Sequence, residues 1–463
     1  MNSEPNGAEQ GPRRNETAPV AADPLRECPL SESDQRRNSF IFIASWSLVY
    51  LAAPVVYVGI VQAAICERMG TSDTVANLPQ SVYMWLMPTP VLVAWLLPSQ
   101  RFLKPLLISS FLALAAAGAL VAVAFVVAPR TWIPPAIILH AAIVGVTNSI
   151  TFVCLWELAG RGMTAARRGK TLGWTYGLGP VLAVLGSFLS QLLLNGSFLD
   201  LVRVPLIAEP WRYVILYAAT APGLGLAGLL GFFVVLPPPE PEPRAESVLA
   251  NIGSGVRQFV TNRFIVVAAA AYLITYAGGN MILPNMSLYT QEVTGESPEA
   301  YAGLQMVLRF TFKIFAGFSL GWIVAKTHPK AGLLVTTSIC LAGVLWALVV
   351  PGKWYLVSFG LIGAGELFGV YFPNYIVTCS APARIRENVA YLTLLTFAVG
   401  FAGGAFGIIS DAYGRPASFI AAAALLVASL AMISLILPKK PSPDSPPRLA
   451  GRDFSEEPME ATP

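Results

Sequence analysis

The sequence predicts an all-α membrane protein of twelve transmembrane helices arranged as two six-helix bundles. Three observations carry this. Hydrophobic residues fill 55% of the 463 positions and charged residues only 12%, against roughly 25% charged in an ordinary soluble domain. Apolar runs recur at the length of about 20 residues that spans a hydrocarbon core about 30 Å thick, given about 1.5 Å of rise per helical residue. A proline- and glutamate-rich stretch from Pro237 to Arg244 divides these runs six and six.

The runs start near Phe40, Ala76, Pro105, Ile133, Thr171, Trp211, Phe264, Tyr301, Ala331, Trp354, Asn388 and Pro416. Helices are required because backbone groups in lipid must bond within their own segment, and no alternating pattern points to a barrel. Residues 1–37 and 438–463 are polar and read as disordered tails, with no cleavable leader at the start. Residues 38–236 and 263–437 then form the two bundles. The linker at 237–262 cannot be helical where prolines crowd its start. Its weakly amphipathic part, Ser247 to Val260, either lies along the membrane surface or is a plain soluble connection.

With the N-terminus inside, most of the 30 Lys and Arg residues fall in inner segments, and the outer loops hold only Arg68, Arg130, Arg203, Arg212, Lys353 and Arg415. That asymmetry follows the positive-inside rule and puts both termini in the cytoplasm of a cell-membrane protein. The net charge of +4 therefore marks topology and lipid contact rather than a nucleic-acid partner. Trp132, Trp211 and Trp354 at outer ends, and Trp95, Trp156 and Trp322 at inner ends, suit headgroup depth. Cys28, Cys66, Cys154, Cys340 and Cys379 show no metal or disulfide spacing, and no cofactor is expected.

The halves echo each other. Trp95 precedes Leu106-Leu107-Ile108-Ser109-Ser110 at the same spacing as Trp322 precedes Leu333-Leu334-Val335-Thr336-Thr337, as a duplicated six-helix unit would. Between the fourth and fifth runs, Glu157-Leu158-Ala159-Gly160-Arg161 is followed by Ala166-Arg167-Arg168-Gly169-Lys170. With the six-plus-six plan and the cytoplasmic linker, this acid-then-Arg-Gly pattern resembles the major facilitator superfamily of secondary transporters, over Phe40 to Leu437.

The resemblance implies two bundles rocking around a midplane site, and a gate in which Glu157 pairs with basic residues of the adjoining loop, such as Arg167 and Arg168. A plain helix-end ion pair is the alternative. The family's second-to-third loop motif is degraded here: Pro98 or Ser99 stands at its acid position, and Ala325 replaces the acid in the second half. Glycines of the fifth run (Gly173, Gly177, Gly179, Gly186) and of the eleventh (Gly400, Gly403, Gly404, Gly407) are expected at the sliding contact between bundles. The Gly179-Pro180 pair is similar to the family's antiporter motif, with Thr175 where that motif has glycine.

Charge inside a membrane costs about 2.5 to 3.5 kcal/mol per residue at the centre on insertion scales, so such residues mark function by default. Arg309 and Lys313 lie four apart on one face of the eighth run, with Gln305 on the same face. Glu366 lies in the tenth run beside Gly365 and Gly369. Lys313 and Glu366 each fall twelve residues into their run, about 18 Å deep. A Lys313–Glu366 pair would leave Arg309 as an unbalanced cation for an anionic solute group, or the ions form a purely structural pair. A buried carboxylate is also a proton carrier.

Asn280, within Gly278-Gly279-Asn280, and Asn285 after Pro284 interrupt the seventh run as cavity-lining segments do. Asn148 and Thr151 in the fourth run are further candidates, as is Tyr50, which shares a face with Trp46 and Tyr57, although packing accounts for that aromatic stripe. His140 reads as a bundle residue, and Asn374 as either. Without a phosphate loop, a nucleophile elbow or a metal-spaced cluster, an enzyme is not expected. The reading is a monomeric secondary transporter of a small polar, anionic solute, with protons as an available coupling ion. A polyspecific exporter and a non-transporting sensor on the same fold remain the alternatives.

Overall fold

Hydrocarbon offers the backbone no hydrogen bonds, and the chain answers with helices almost throughout. The computed structural model describes residues 30–89, 102–237, 256–257, 259–380, 385–439 and 441. The expectations for the N-terminal tail to residue 29, the junction at 90–101, the linker at 238–255 and the C-terminal tail after 441 lie outside the described residues.

The first run is broken into α1 (Glu32–Leu51), α2 (Ala53–Val56) and α3 (Ile60–Arg68), and α4 (Asp73–Leu86) is the second. Then come α5 (Leu103–Val127), α6 (Ile133–Arg161), α7 (Ala165–Asn195), and the sixth run as α8 (Trp211–Ala218) and α9 (Thr220–Leu230). The second half holds α10 (Arg263–Gly279) and α11 (Leu283–Thr294) as the seventh run, α12 (Ala302–Lys326) as the eighth and α13 (Pro329–Val349) as the ninth. The tenth is α14 (Val357–Gly365) with α15 (Phe368–Cys379), the eleventh α16 (Ile385–Leu395) with α17 (Gly400–Tyr413), and the twelfth α18 (Arg415–Ile436). A two-stranded hairpin pairs Ser197 with Arg203 between α7 and α8.

Ten stretches among the described residues, from Leu103–Val127 to Arg415–Ile436, are long and apolar enough to cross a membrane. The first two runs of the predicted twelve are not among them. Several helices start earlier than their apolar runs: Ser31 caps α1 and Thr164 caps α7 by accepting a backbone N–H, so polar first turns form ahead of the apolar segment.

Packing repeats between the halves. The second run packs on the fourth (α4 with α6) as the eighth packs on the tenth (α12 with α14), and the third meets the sixth (α5 with α9) as the ninth meets the twelfth (α13 with α18). A sequence copied once gives the same partners twice. Across the halves, α4 packs on α17, α7 on α12, and α3 on α11. Large apolar side chains such as Val127 and Leu435 stand exposed, the surface a lipid-facing helix presents.

Three of the four eleventh-run glycines, Gly400, Gly403 and Gly407, lie at the bundle contact: a Cβ on Gly407 would come 2.6 Å from the Thr74 Cα, and one on Gly403 would come 2.5 Å from the Ser81 Oγ, while Gly404 faces away. The fifth-run cluster departs from expectation. Gly179 and Gly186 face Tyr50 and Leu51 of their own half, and α7 reaches the other half farther along, where Gln191 Nε2 donates to the Ala300 carbonyl and its Oε1 accepts from the Leu304 N–H. Small residues permit close approach but do not choose which neighbour approaches.

Gly407→Ala is expected to destabilise the protein by about 1 to 3 kcal/mol through overpacking. Gly404→Ala, where nothing lies within 4 Å of the added Cβ, is expected to stabilise the helix by up to about 1 kcal/mol. Thermal unfolding in detergent compares the two signs.

Candidate functional site

The site begins with a steric permission. A Cβ on Gly363 would fall 2.1 Å from the Arg309 carbonyl oxygen, so only glycine lets α14 approach α12 this closely. Glu366 follows, at the point where α14 ends before α15 resumes, and its carboxylate is delivered to the cations of α12. Arg309 Nε and Nη2 donate to Oε1 at 2.6 and 2.5 Å, and Lys313 Nζ donates to Oε2 at 3.0 Å. Glu366 and Arg309 are 8% and 5% exposed, depths at which an unpaired charge would not persist.

Lys313 and Glu366 are therefore paired, as one expectation had it, but Arg309 is not left over. It takes the same carboxylate and holds it more closely, because its fork reaches Oε1 with two N–H groups. The cluster keeps one surplus positive charge, spread over two donors.

A third donor comes from the interruption in the seventh run. Asn280 terminates α10 and donates Nδ2 to Glu366 Oε1 at 2.9 Å. Its own oxygens are claimed from the opposite half: Gln80 Nε2 of α4 donates to the Asn280 side-chain Oδ1 at 2.8 Å and to its backbone carbonyl at 3.1 Å. One amide thus joins the two halves at the charged cluster. Gln80 was not singled out in the sequence, where a glutamine after Pro79 carries no signal of the helix it will face. Below it Asn77 bonds Asn285, which also donates to Ser410 and Ser418.

Around these groups stands an aromatic wall. The Tyr50 and Tyr57 rings stack with centroids 6.1 Å apart, Tyr57 meets Phe310 of α12 edge-on at 5.2 Å, and Trp46 leans on Tyr50. Asn148 donates to the Tyr83 hydroxyl at 3.3 Å and makes no bond to the charged cluster. Gln305 turns away to Ser287 and Thr290, His140 packs edge-on against Tyr217, and Asn374 is exposed.

Two of the expected gate residues bond elsewhere. Glu157 pairs with Arg161 at 2.9 Å, one turn along the same helix, and Arg161 also reaches the Pro237 carbonyl. Arg167 pairs with Glu32 of α1, and no bond among the described residues brings Arg167 or Arg168 to Glu157. Spacing of four places Glu157 and Arg161 on one face, which outcompetes a loop partner. A recess of about 240 Å³ at this end is lined by Glu32, Gln35, Thr164, Arg167 and Lys170, away from the charged cluster.

The opposite, predicted outer end carries a latch between the halves. Arg415 grips Asp73 with two bonds of 2.9 Å and also bonds Glu67 at 3.3 Å and Glu292 at 3.1 Å. Asp411 accepts from the Asp73 and Thr74 backbone N–H groups at the start of α4, where a helix N-terminus favours an anion.

Two similar sets of helices meeting on a buried polar cluster, in a multi-pass membrane protein, define a solute-transporter fold. The chain belongs to the Major Facilitator Superfamily, whose family model matches residues 38–408. Among solved structures it is similar to a D-xylose-proton symporter, at a TM-score of 0.64 and 14% identity, covering 87% of this chain and 98% of that one. It is also similar to a bacterial homologue of the human lysosomal transporter Spinster in an inward-facing, unoccupied conformation, at 0.62 and 16%, covering 88% and 97%. A peptide transporter, POT, in complex with sulfate matches at 0.61 and 14%, covering 89% and 96%. These likenesses show the fold. No curated protein matches in sequence.

Glu366→Gln strands buried Arg309 and half-buried Lys313 and is expected to cost about 3 to 5 kcal/mol, whereas replacing all three ions together (Arg309→Met, Lys313→Met, Glu366→Leu) is expected to recover most of that stability. Thermal unfolding of the single and triple variants measures the difference.

Proposed function

We propose that this protein is a secondary active transporter of the cell membrane, with both termini cytoplasmic, that moves a small solute bearing an anionic group by alternating access. The observation that carries the reading is the buried Arg309–Lys313–Glu366 cluster, with one surplus positive charge, joined to the other half through Asn280 and Gln80. An anionic group entering between the halves competes with Glu366 for Arg309 and Lys313. Glu366, losing its cations in a dry site, then takes up a proton, because burial disfavours an isolated carboxylate. Solute binding and proton uptake are linked through that exchange, and the pair crosses as a neutral load.

Alternating access needs one end closed while the other opens. The Arg415 latch and the Gln191 bonds close the predicted outer end, and Lys313 retains 24% side-chain exposure for a solute to reach. Relatives of the fold that are named proton symporters support the coupling ion.

Purified protein in vesicles loaded with candidate organic anions is the test. Arg309→Leu is expected to lower uptake at least about tenfold at normal protein level, the effect of losing one charge-assisted hydrogen bond of about 1.5 to 3 kcal/mol. Unchanged uptake would overturn the reading. An inward proton gradient is expected to accelerate uptake by the wild type but not by Glu366→Gln, and an equal response in both would remove Glu366 from coupling.

A further inference from the structure

Gln80 is 3% exposed, and its Oε1 has no hydrogen-bond partner. Which atom of the amide is left over is not arbitrary. The Asn280 backbone carbonyl, 3.1 Å away, can only accept, so the Gln80 nitrogen must face it. Asn280 is oriented independently, since its Nδ2 donates to the Glu366 carboxylate and its Oδ1 is thereby turned toward Gln80. The ionised carboxylate thus sets the polarity of the whole amide chain and leaves an oxygen, not an N–H, at its far end.

That oxygen points at the interruption of the first run. A Cβ on Gly59 would lie 3.0 Å from it, and Gly59 holds a φ of +147°, so glycine both permits the turn and lets the amide oxygen come this close. The backbone N–H of Gly59, which could have served Gln80, is taken by Gln62 Oε1 at 2.9 Å. An orphaned acceptor in a dry site costs about 1 to 3 kcal/mol, and buried acceptors are almost always met by a donor.

We propose that Gln80 Oε1 is the second recognition point of the solute site and receives a hydroxyl or amine hydrogen of the solute. The substrate class is therefore an anion that also carries a hydrogen-bond donor, such as a hydroxy or amino acid, rather than a plain carboxylic acid. This rests on the anion reading of Arg309 and Lys313. The two recognition points lie on opposite halves, so only a solute with both groups bridges them.

Affinities of the full-length protein in detergent are measured by thermal stabilisation with matched pairs: lactate and propionate, malate and succinate. The hydroxylated member of a pair is expected to bind at least about fivefold more tightly, the effect of one neutral hydrogen bond. Gln80→Leu is expected to make the members of each pair equal, while Arg309→Leu weakens both members and leaves their ratio. Gln80→Met supplies the comparison where the leucine variant does not fold. The ratio is the readout because a merely structural role for Gln80 would shift both members together. Equal affinities in the wild type, or a preference that survives both Gln80 variants, would overturn the proposal while the anion site stands. Absence of binding by every anion would overturn the anion reading and the proposal with it.

Discussion

The Glu366 carboxylate is the group on which the rest of the arrangement depends. A buried anion at membrane depth persists only with partners, and this one collects donors from Arg309, Lys313 and Asn280. Each partner fixes something larger. The two cations tie the eighth run to the tenth, and the amide ties the tenth to the seventh and, through Gln80, to the opposite half. Glycine at position 363 is what brings the carboxylate into range. The cost of desolvating three charges is thereby turned into a fixed meeting point for four helices.

Interruptions do the complementary work. The first run breaks around Tyr57 to Gly59, the seventh at Asn280 to Ile282 and the tenth at Glu366. In each half the break in the leading helix falls beside the same cluster, as expected of a duplicated unit. A continuous helix uses its own carbonyls and N–H groups, whereas an interrupted one directs polar groups sideways. The breaks therefore concentrate polarity where the halves meet and leave the lipid-facing surface apolar.

Much of this was legible in the sequence. Apolar run length located ten of the stretches long and apolar enough to cross a membrane among the described residues, and the rarity of membrane charge identified Arg309, Lys313 and Glu366 without any geometry. What composition could not supply was partner choice. Arg309 reads as a spare cation until the approach of α14 shows two of its N–H groups on one oxygen. Glu157 is expected to pair with the adjoining loop, and the structure pairs it with Arg161, one turn away. Gln80 is invisible because a single glutamine in an apolar helix states neither which face it occupies nor which helix it meets. Arg415 counted only as a topology signal, although Asp73, directly after Ser72, the cap of α4, is the helix-start acid it grips. The fifth-run glycines mislead for the same reason: smallness tells how near a neighbour can come, not which neighbour.

The Arg415 latch divides unequally when its end opens. Arg415 and Glu292 belong to one half, and Glu67 and Asp73 to the other. Separation leaves the cation with one acid and strands two acids together without a counterion. In alternating access their mutual repulsion would oppose an open state from within a single half, as a spring that draws the halves back toward closure. Mobile cations in the surrounding solution would soften that spring, a salt effect at a place remote from the charged cluster.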